Sequence, residues 1–221
     1  MEQVENEILT QQDLIYQTLC DDVLAGHFSP DQKITLDELS HRFGVSNMPI
    51  RDALRRLAET GTIVVRPKRA VRFATLSLEE FDEILDMRLA LETLATRSAV
   101  AHIREQDLNL LEGLAERADR VLGEGRWTEY PARNAVFHTE LYALSRRPLL
   151  CKTIHNLSLR LGPYIRFWGA QEANEGRDRH FNIVAVLRRR EADAAAAILA
   201  ADIRAGMMQV RAKVFDQSKP S

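Results

Sequence analysis

The 221-residue sequence is poor in several features, and each shortage excludes a class of protein. Its only two cysteines, Cys20 and Cys151, are far apart and form no CxxC motif, which argues against a disulfide scaffold and fits a reducing compartment. No apolar run reaches about 18 residues, so no membrane helix is expected. The opening MEQVENEILT is acidic and polar, unlike a signal peptide. We therefore expect a cytoplasmic protein without a membrane partner.

The chain also lacks an excess of positive charge, since 30 Lys and Arg against 32 Asp and Glu give a formal net charge of −2. A general polycation is excluded, so any nucleic-acid site must be a local patch. Residues 41–72 contain such a patch, with eight basic residues against two acidic ones, a local net charge of +6. Local positive charge of this kind favours phosphate binding through counterion release.

The first 75 residues predict three helices and a hairpin. Apolar residues recur at helical spacing from Leu14 to Leu24, and Gly26 is a natural stop. TLDE at residues 35–38 has the capping-box pattern and opens a short helix that ends at Gly44. Ser46 then caps a third helix, which ends at Gly61. The segments TIVVR (62–66) and VRFAT (71–75) predict a two-stranded wing.

After Leu76 the pattern is helical throughout. Glycines, a proline and charge runs separate six predicted helices, at about 79–103, 106–123, 128–145, 148–172, 177–189 and 191–215. The change in composition near Leu76 predicts two domains, residues 8–75 and 77–215. The predicted fold is mostly α, with a winged helix–turn–helix of three helices and a two-stranded wing before a six-helix antiparallel bundle.

The third helix, within FGVSNMPIRDALRRLAETG, has the pattern of a DNA reader. Its apolar residues Ile50, Ala53, Leu54 and Leu57 share one face, and Asn47, Arg51 and Arg55 lie on the opposite face. Asparagine pairs with adenine and arginine with guanine in the major groove, where a helix–turn–helix places its second helix. Lys68 and Arg69 at the wing tip could reach phosphates or the minor groove. The alternative for the helix alone is a solvated basic face.

The segment LAGHFSPDQKITLDELSHRFGVSNMPIRDALRRLAETGTI resembles the winged helix–turn–helix of the GntR family of bacterial transcription regulators. By position, PIRDAL matches the family's Pro-Val-Arg-Glu-Ala-Leu run, which makes Arg51 the main base reader. Asn47 replaces a common arginine, which should change the preferred base, and Lys68-Arg69-Ala70 replaces a commonly Gly-rich wing tip. The full set of expected DNA contacts is Asp37, Ser46, Asn47, Met48, Arg51, Arg55, Lys68 and Arg69.

Several polar residues in the helical part lie on apolar faces, where they need partners. They are Arg88, Asn134, His138, His180 and Asp202. Two imidazoles and a carboxylate suit a divalent transition metal, with Asn134 as a weak fourth oxygen donor. For each residue alone the alternative is a hydrogen-bonded core side chain.

MRLALETLATRSAV and NAVFHTELYALSRRPLL resemble parts of the FCD ligand-binding domain, which defines the FadR subfamily of GntR regulators. The resemblance implies a metal site, for Zn, Ni or Mn, on the positions of the family's Asp-His-His-His ligands: Asn134, His138, His180 and Asp202. It also places Arg88 at the effector cavity. Six helices rather than seven imply the VanR-like branch.

The segment SLRLGPYIRFW (158–168) places Arg160, Tyr164 and Trp168 at i, i+4 and i+8. These side chains can clamp a carboxylate and stack on a ring. The alternative is an amphipathic helix with an aromatic core face. The predicted effector-binding residues are therefore Arg88, Arg160 and Tyr164.

Together these patterns predict a bacterial regulator that binds a double-stranded operator with inverted half-sites as a homodimer. A small organic acid would relieve repression. No HExxH motif, nucleophile elbow or phosphate loop stands out, so no catalytic residue is assigned. Two alternatives stay open at this point: a metal-dependent enzyme carrying a DNA-binding head, with zinc on His138, His180 and Asp202, or an effector-free DNA-binding dimer.

Overall fold

The computed structural model describes residues 10–66, 70–169 and 178–216. Its N-terminal part contains α1 (Gln11–Leu24), β1 (Lys33–Ile34), α2 (Leu36–Phe43), α3 (Asn47–Glu59), β2 (Ile63–Arg66) and β3 (Ala70–Phe73). Its C-terminal part contains α4 (Leu78–Val100), α5 (Glu105–Gly123), a 3-10 turn (Trp127–Glu129), α6 (Tyr130–Ala143), α7 (Pro148–Ile165), α8 (Arg179–Arg188), α9 (Ala192–Arg211) and a π-helical turn (Ala212–Asp216). The predicted mostly α architecture, with a small sheet near the N-terminus, is confirmed.

Side-chain capping sets the starts of α1 and α2 but not that of α3. At α2 the predicted capping box is present: the Glu38 backbone N–H donates to Thr35 Oγ1 (3.2 Å), and the Thr35 N–H donates to the Glu38 carboxylate (2.8 Å). Gly44 ends this helix with φ +64°, a conformation that glycine adopts without strain. Ser46 occupies the N-cap position of α3, but its side chain makes no capping hydrogen bond.

The sheet corrects the predicted two-stranded wing, since it has three antiparallel strands in the order β1-β3-β2. Lys33 pairs with Arg72 and Ile34 with Val71, in a segment that the sequence indicated as a turn. A two-residue strand is too short to show a period of two, so only its partner strand reveals it. The wing-tip residues Lys68 and Arg69 lie outside the described residues.

Of the three hydrophobic clusters among the described residues, the two larger ones form the cores of the two domains. In the N-terminal core, α1 packs on α3 and on the sheet, and Phe28 stacks on Phe73 with ring centroids 4.4 Å apart. Leu159 of α7 is fully buried in this same core, so a helix of the C-terminal bundle completes the interior of the N-terminal domain. Among the described helices, none combines the length and the apolar character needed to cross a bilayer.

The helix boundaries of the bundle differ from the predicted ones at two places. The predicted helix 128–145 divides into the 3-10 turn and α6, and Pro131 lies at the start of α6, where its missing N–H costs nothing. The predicted helix 148–172 is helical only to Ile165. The segment 170–177 lies outside the described residues, so the assignment to the six-helix branch stays a prediction.

Candidate nucleic-acid interface and buried ligand cavity

The α3 helix presents a polar face to solvent. Its buried residues are Pro49, Ile50, Ala53, Leu54 and Leu57. Asn47, Met48, Arg51 and Arg55 are exposed on the other side, and the Met48 side chain is 73% exposed. Asp37 on α2 and Ser46 are exposed as well. All six described members of the predicted DNA-contact set are therefore accessible to a partner.

Ion pairs divide the basic residues of this region into two groups. Three are held by acids outside residues 41–72: Arg42 by Asp22 (2.6 Å), Arg56 by Asp13 (2.9 Å) and Arg72 by Asp31 (3.0 Å). Arg51 has no ion pair within the part of the chain that the structure describes. Arg55 lies 3.7 Å from Glu59, and both side chains are mostly exposed. The local charge of +6 therefore overstates the free positive charge, and Arg51 and Arg55 are the cations available on α3.

Four polar residues predicted to face inward meet in the C-terminal bundle. Asn134 and His138 come from α6, His180 from α8 and Asp202 from α9. The Nε2 atom of His138 lies 3.3 Å from Asp202 Oδ2, and the Nε2 atom of His180 lies 4.0 Å from the same oxygen and 3.0 Å from Asn134 Oδ1. One ligand atom from each of His138, His180 and Asp202 lies within 4.8 Å of the others, a grouping that could hold a metal ion.

Electrostatics keep His180 neutral and Asp202 ionised. Burial, reinforced by the adjacent His138, lowers the pKa of His180 to about 3, so its ring is neutral at pH 7. Burial alone would raise the pKa of Asp202, but hydrogen bonding and charge from His138, His180 and Arg179 hold it below its usual range. Arg179 Nη1 lies 3.2 Å from Asp202 Oδ1. The other carboxylate oxygen faces the two histidines.

The sequence did not predict the buried network that lies behind His138. Glu92 of α4 is fully buried, accepts a hydrogen bond from Arg88 Nε at 2.5 Å and accepts another from the Tyr142 hydroxyl. The Nδ1 atom of His138 lies 3.2 Å from that hydroxyl oxygen. His138 therefore links this network to the cluster, since its Nδ1 atom faces the Tyr142 hydroxyl and its Nε2 atom faces Asp202.

A cavity of about 110 Å³ opens beside this network. Its polar lining includes Arg88, Asn134, His138, Tyr142, His155 and Asp202. Its apolar lining includes Ile154, Ile165, Trp168, Ile203 and Met207, together with Leu24 of α1. The indole N–H of Trp168 is buried and has no hydrogen-bond partner among the described residues. The cavity thus offers several polar groups on one wall and apolar side chains on the rest.

Two predicted effector contacts lie elsewhere. The Tyr164 hydroxyl oxygen accepts a hydrogen bond from the Leu76 backbone N–H at 2.6 Å, where the two domains join. Arg160 approaches Glu80 (3.7 Å) and packs near Gly61. Only Trp168 of the i, i+4, i+8 stripe lines the cavity. The first two members of the stripe face the domain boundary, and Trp168 lies beyond the end of α7 at Ile165.

Comparisons with known proteins agree with both domains. The family described as "Bacterial regulatory proteins, gntR family" matches residues 11–73, and the FCD domain matches residues 83–205. The HTH-type transcriptional regulator McbR of Escherichia coli K12 is 30% identical over 142 residues, 64% of either chain. The solved structure of E. coli McbR/YncC superposes with a TM-score of 0.87 at 25% identity, over 96% of this chain and 100% of that one.

Two further relatives align over more of their length. The Nta operon transcriptional regulator of Aminobacter aminovorans is 28% identical over 191 residues, 86% of either chain. The HTH-type transcriptional repressor RspR of E. coli K12 is 26% identical over 182 residues, 81% of this chain and 80% of RspR. These relatives are all transcription regulators, so the alternative of a metal-dependent enzyme is set aside. The chain belongs to the GntR family of bacterial regulatory proteins and carries an FCD domain.

Proposed function

We propose that the protein regulates transcription by binding a double-stranded operator and leaving it when a small carboxylate enters the C-terminal cavity. The observation that carries this proposal is the exposed face of α3. Asn47 and Arg51 lie in its first two turns, where a helix–turn–helix contacts base edges. The side chain of Asn47 is oriented by Ser40, whose hydroxyl donates to Asn47 Oδ1 at 2.5 Å, which leaves the amide N–H groups for a partner.

A homodimer is part of this proposal. One recognition helix reads only a few base pairs, so two heads are needed for a specific genomic site. On α4, Met87 (38%) and Leu94 (39%) are exposed two turns apart, and Leu149 at the start of α7 is 77% exposed. Arg147 Nη1 lies 3.4 Å from Ser98 Oγ, which brings the start of α7 beside the end of α4. We propose that this apolar surface pairs two copies around a two-fold axis.

The experiment is selection of duplexes from a random pool, followed by footprinting and light scattering. The expected result is two inverted half-sites protected by a particle of about 50 kDa, twice the chain mass of 25.1 kDa. Met87→Glu with Leu94→Glu should give a monomer that binds the selected duplex weakly. A 25 kDa particle that binds the duplex tightly would contradict the dimer, and failure to enrich any duplex would contradict DNA recognition.

The proposed cofactor is a divalent ion bound by His138, His180 and Asp202, with Asn134 as a fourth donor. Imidazole nitrogens and carboxylate oxygens suit Zn, Ni or Mn. The fit is supported by the grouping of one ligand atom from each of His138, His180 and Asp202 within 4.8 Å of one another. Asn134 Oδ1 lies 3.0 Å from His180 Nε2, within reach of the same point.

The ion would decide the charge of the effector. Arg88 is paired with Glu92 and Asp202 with Arg179, so the charged pairs of the cavity wall balance. A bound divalent ion would add the excess positive charge that attracts a carboxylate. The remaining N–H groups of Arg88 and the unpartnered Trp168 N–H are donors for its oxygens.

Metal analysis of purified protein, with thermal unfolding in added Zn²⁺, Ni²⁺ or Mn²⁺, tests the ion. At a hundred times the dissociation constant, binding stabilises the fold by about 2.7 kcal/mol, a rise in Tm of roughly 5–10 °C. His180→Ala should lose the metal and this rise, whereas His102→Ala, outside the cluster, should retain both. No stoichiometric metal and no rise in Tm would contradict the ion, and a neutral effector would then fit the balanced wall better.

A further inference from the structure

The cavity is bounded in part by the DNA-binding domain. Leu24, the last residue of α1, lines the cavity described above. It also lines a second cleft of about 290 Å³ between α1 and α6, whose other walls include Ala135, Val136 and Thr139. Leu24 is half-buried, borders both spaces and also packs at the edge of the N-terminal core. Because a side chain beside a void lacks contacts on that side, it loses few contacts when it moves into the void.

The neighbouring contact of α1 is tightly packed. A Cβ atom placed on Gly162 of α7 would lie 2.7 Å from the Val23 carbonyl oxygen. The backbone of α7 therefore packs directly on Val23 of α1, at a crossing that admits only glycine. Gly26, with φ +75°, leaves similarly little room beside the Arg166 backbone. The end of α1 therefore has one rigid contact with α7 and one loose contact with α6.

Movement of α1 would carry the recognition helix with it. Ile15, Leu19 and Val23 of α1 share one buried core with Ile50, Leu54 and Leu57 of α3. Closely packed interiors transmit strain rather than absorb it. A rotation of α1 about its crossing with α7 would thus reorient α3, and in a dimer it would change the spacing of two α3 helices.

We infer that Leu24 is part of the effector site and is the contact through which an effector in the cavity moves the DNA-binding domain, by rotating α1 about the Val23–Gly162 crossing. This inference rests on the proposed function. It predicts that effector size is sensed at the boundary between the domains. An effector that reaches Leu24 acts on DNA binding, and a shorter one that stops at His138 binds without acting.

The test needs no identified effector, because a larger side chain can occupy the same space. Leu24→Trp should change affinity for the duplex selected by the wild-type protein by at least about tenfold, within the usual range of coupling between sites. Leu14→Trp is the matched control, since Leu14 lies on the same helix with its side chain 51% exposed, and it should leave affinity unchanged within about twofold. Ala135→Phe fills the space from α6 and should act as Leu24→Trp does.

Each outcome decides between distinct conclusions. Lower affinity of the two variants for the selected duplex supports the inference for a regulator that its effector releases from DNA. Higher affinity supports the same role of Leu24 in a regulator whose effector strengthens DNA binding. Folded variants with wild-type affinity overturn it, as does loss of the folded state in both, since open space around Leu24 is its premise. If the wild-type protein enriches no duplex, the proposed function fails first, and the two failures are thereby distinguished.

Discussion

Two arginine–glutamate pairs with the same i,i+4 spacing lie in the two domains of this molecule. In α3, Arg55 and Glu59 are 3.7 Å apart with side chains 69% and 65% exposed. In α4, Arg88 and Glu92 are 2.5 Å apart with side chains 14% and 0% exposed. The first pair lies in water, which screens its attraction and leaves Arg55 free for another partner. The second is held in the interior, where each charge depends on the other.

The difference shows how the two domains use charge. The N-terminal domain exposes unpaired cations that can meet a polyanion. The C-terminal domain balances each buried charge with a partner, so its cavity wall is polar without a large excess of either sign. A ligand of the exposed α3 face is selected by its phosphates and base edges. A ligand of the C-terminal cavity is selected by how well it fits a wall whose hydrogen bonds and ion pairs are already formed.

The largest expected effect separates these two pairs directly. Glu92→Ala leaves the buried Arg88 charge and the Tyr142 hydroxyl without their acceptor, which should cost about 3–5 kcal/mol of unfolding free energy and about 10 °C or more in Tm. Glu59→Ala should change stability by less than about 0.5 kcal/mol. Denaturant unfolding of both variants measures this. Equal costs for the two would show that burial does not distinguish the pairs.

The second prediction compares two arginines of α3. Arg51→Ala removes an exposed, unpaired side chain, so it should cost about 1–3 kcal/mol on the selected duplex, less on random DNA, and little stability. Arg56 is held by Asp13 and lies 3.8 Å above the Tyr16 ring. Arg56→Ala should therefore reduce stability more than DNA affinity. Equal loss of Arg51→Ala on both DNAs, in binding titrations, would indicate a phosphate contact.

The exposed polar face of α3 could be predicted from sequence because local rules decide it. The TLDE capping box and Gly44 set the ends of α2, and the apolar spacing of α3 alone determines that Arg51 faces outward. The third strand was not predicted, since Lys33 and Ile34 form strand only through their pairing with β3. The paired state of Arg42, Arg56 and Arg72 was not predicted either, because their acids are distant in sequence.

The interior of the bundle was predictable only in part. Apolar stripes indicated that Asn134, His138, His180 and Asp202 point inward, and inward residues without partners must find one another. Helical spacing does not show which part of the interior a side chain faces. Tyr164 was therefore expected at the cavity, whereas its hydroxyl accepts a hydrogen bond from the Leu76 backbone N–H. Glu92 carried a usable signal, since it follows the inward Arg88 by one turn. Leu24 carried none, because an apolar residue on α1 looks like any core residue.

The third prediction concerns the pH dependence of stability and applies only to the buried groups of the C-terminal domain. The folded-state pKa of His180 is about 3 against 6.5 for the free side chain, so the unfolded chain binds the extra proton between these values. Stability should therefore fall as pH drops from 6.5 to 5, by about 1–2 kcal/mol from this residue. His180→Asn should flatten that part of the profile. An unchanged slope in urea titrations of the variant would place the titration elsewhere.

The smallest expected effect distinguishes the N-cap residues of two neighbouring helices, Thr35 of α2 and Ser46 of α3. It extends the comparison of internally bonded and outward-facing groups to the DNA-binding domain. The Thr35 hydroxyl is used internally, since it accepts from the Glu38 N–H at the start of α2. Thr35→Ala should cost about 1 kcal/mol of stability.

Ser46 makes no capping bond, so Ser46→Ala should change stability by only a few tenths of a kcal/mol. The exposed Ser46 hydroxyl is free to donate to a phosphate, and Ser46→Ala should instead lower DNA affinity on selected and random duplexes alike. If Ser46→Ala destabilised the protein as much as Thr35→Ala and left DNA binding intact, Ser46 would be an ordinary cap rather than a DNA contact.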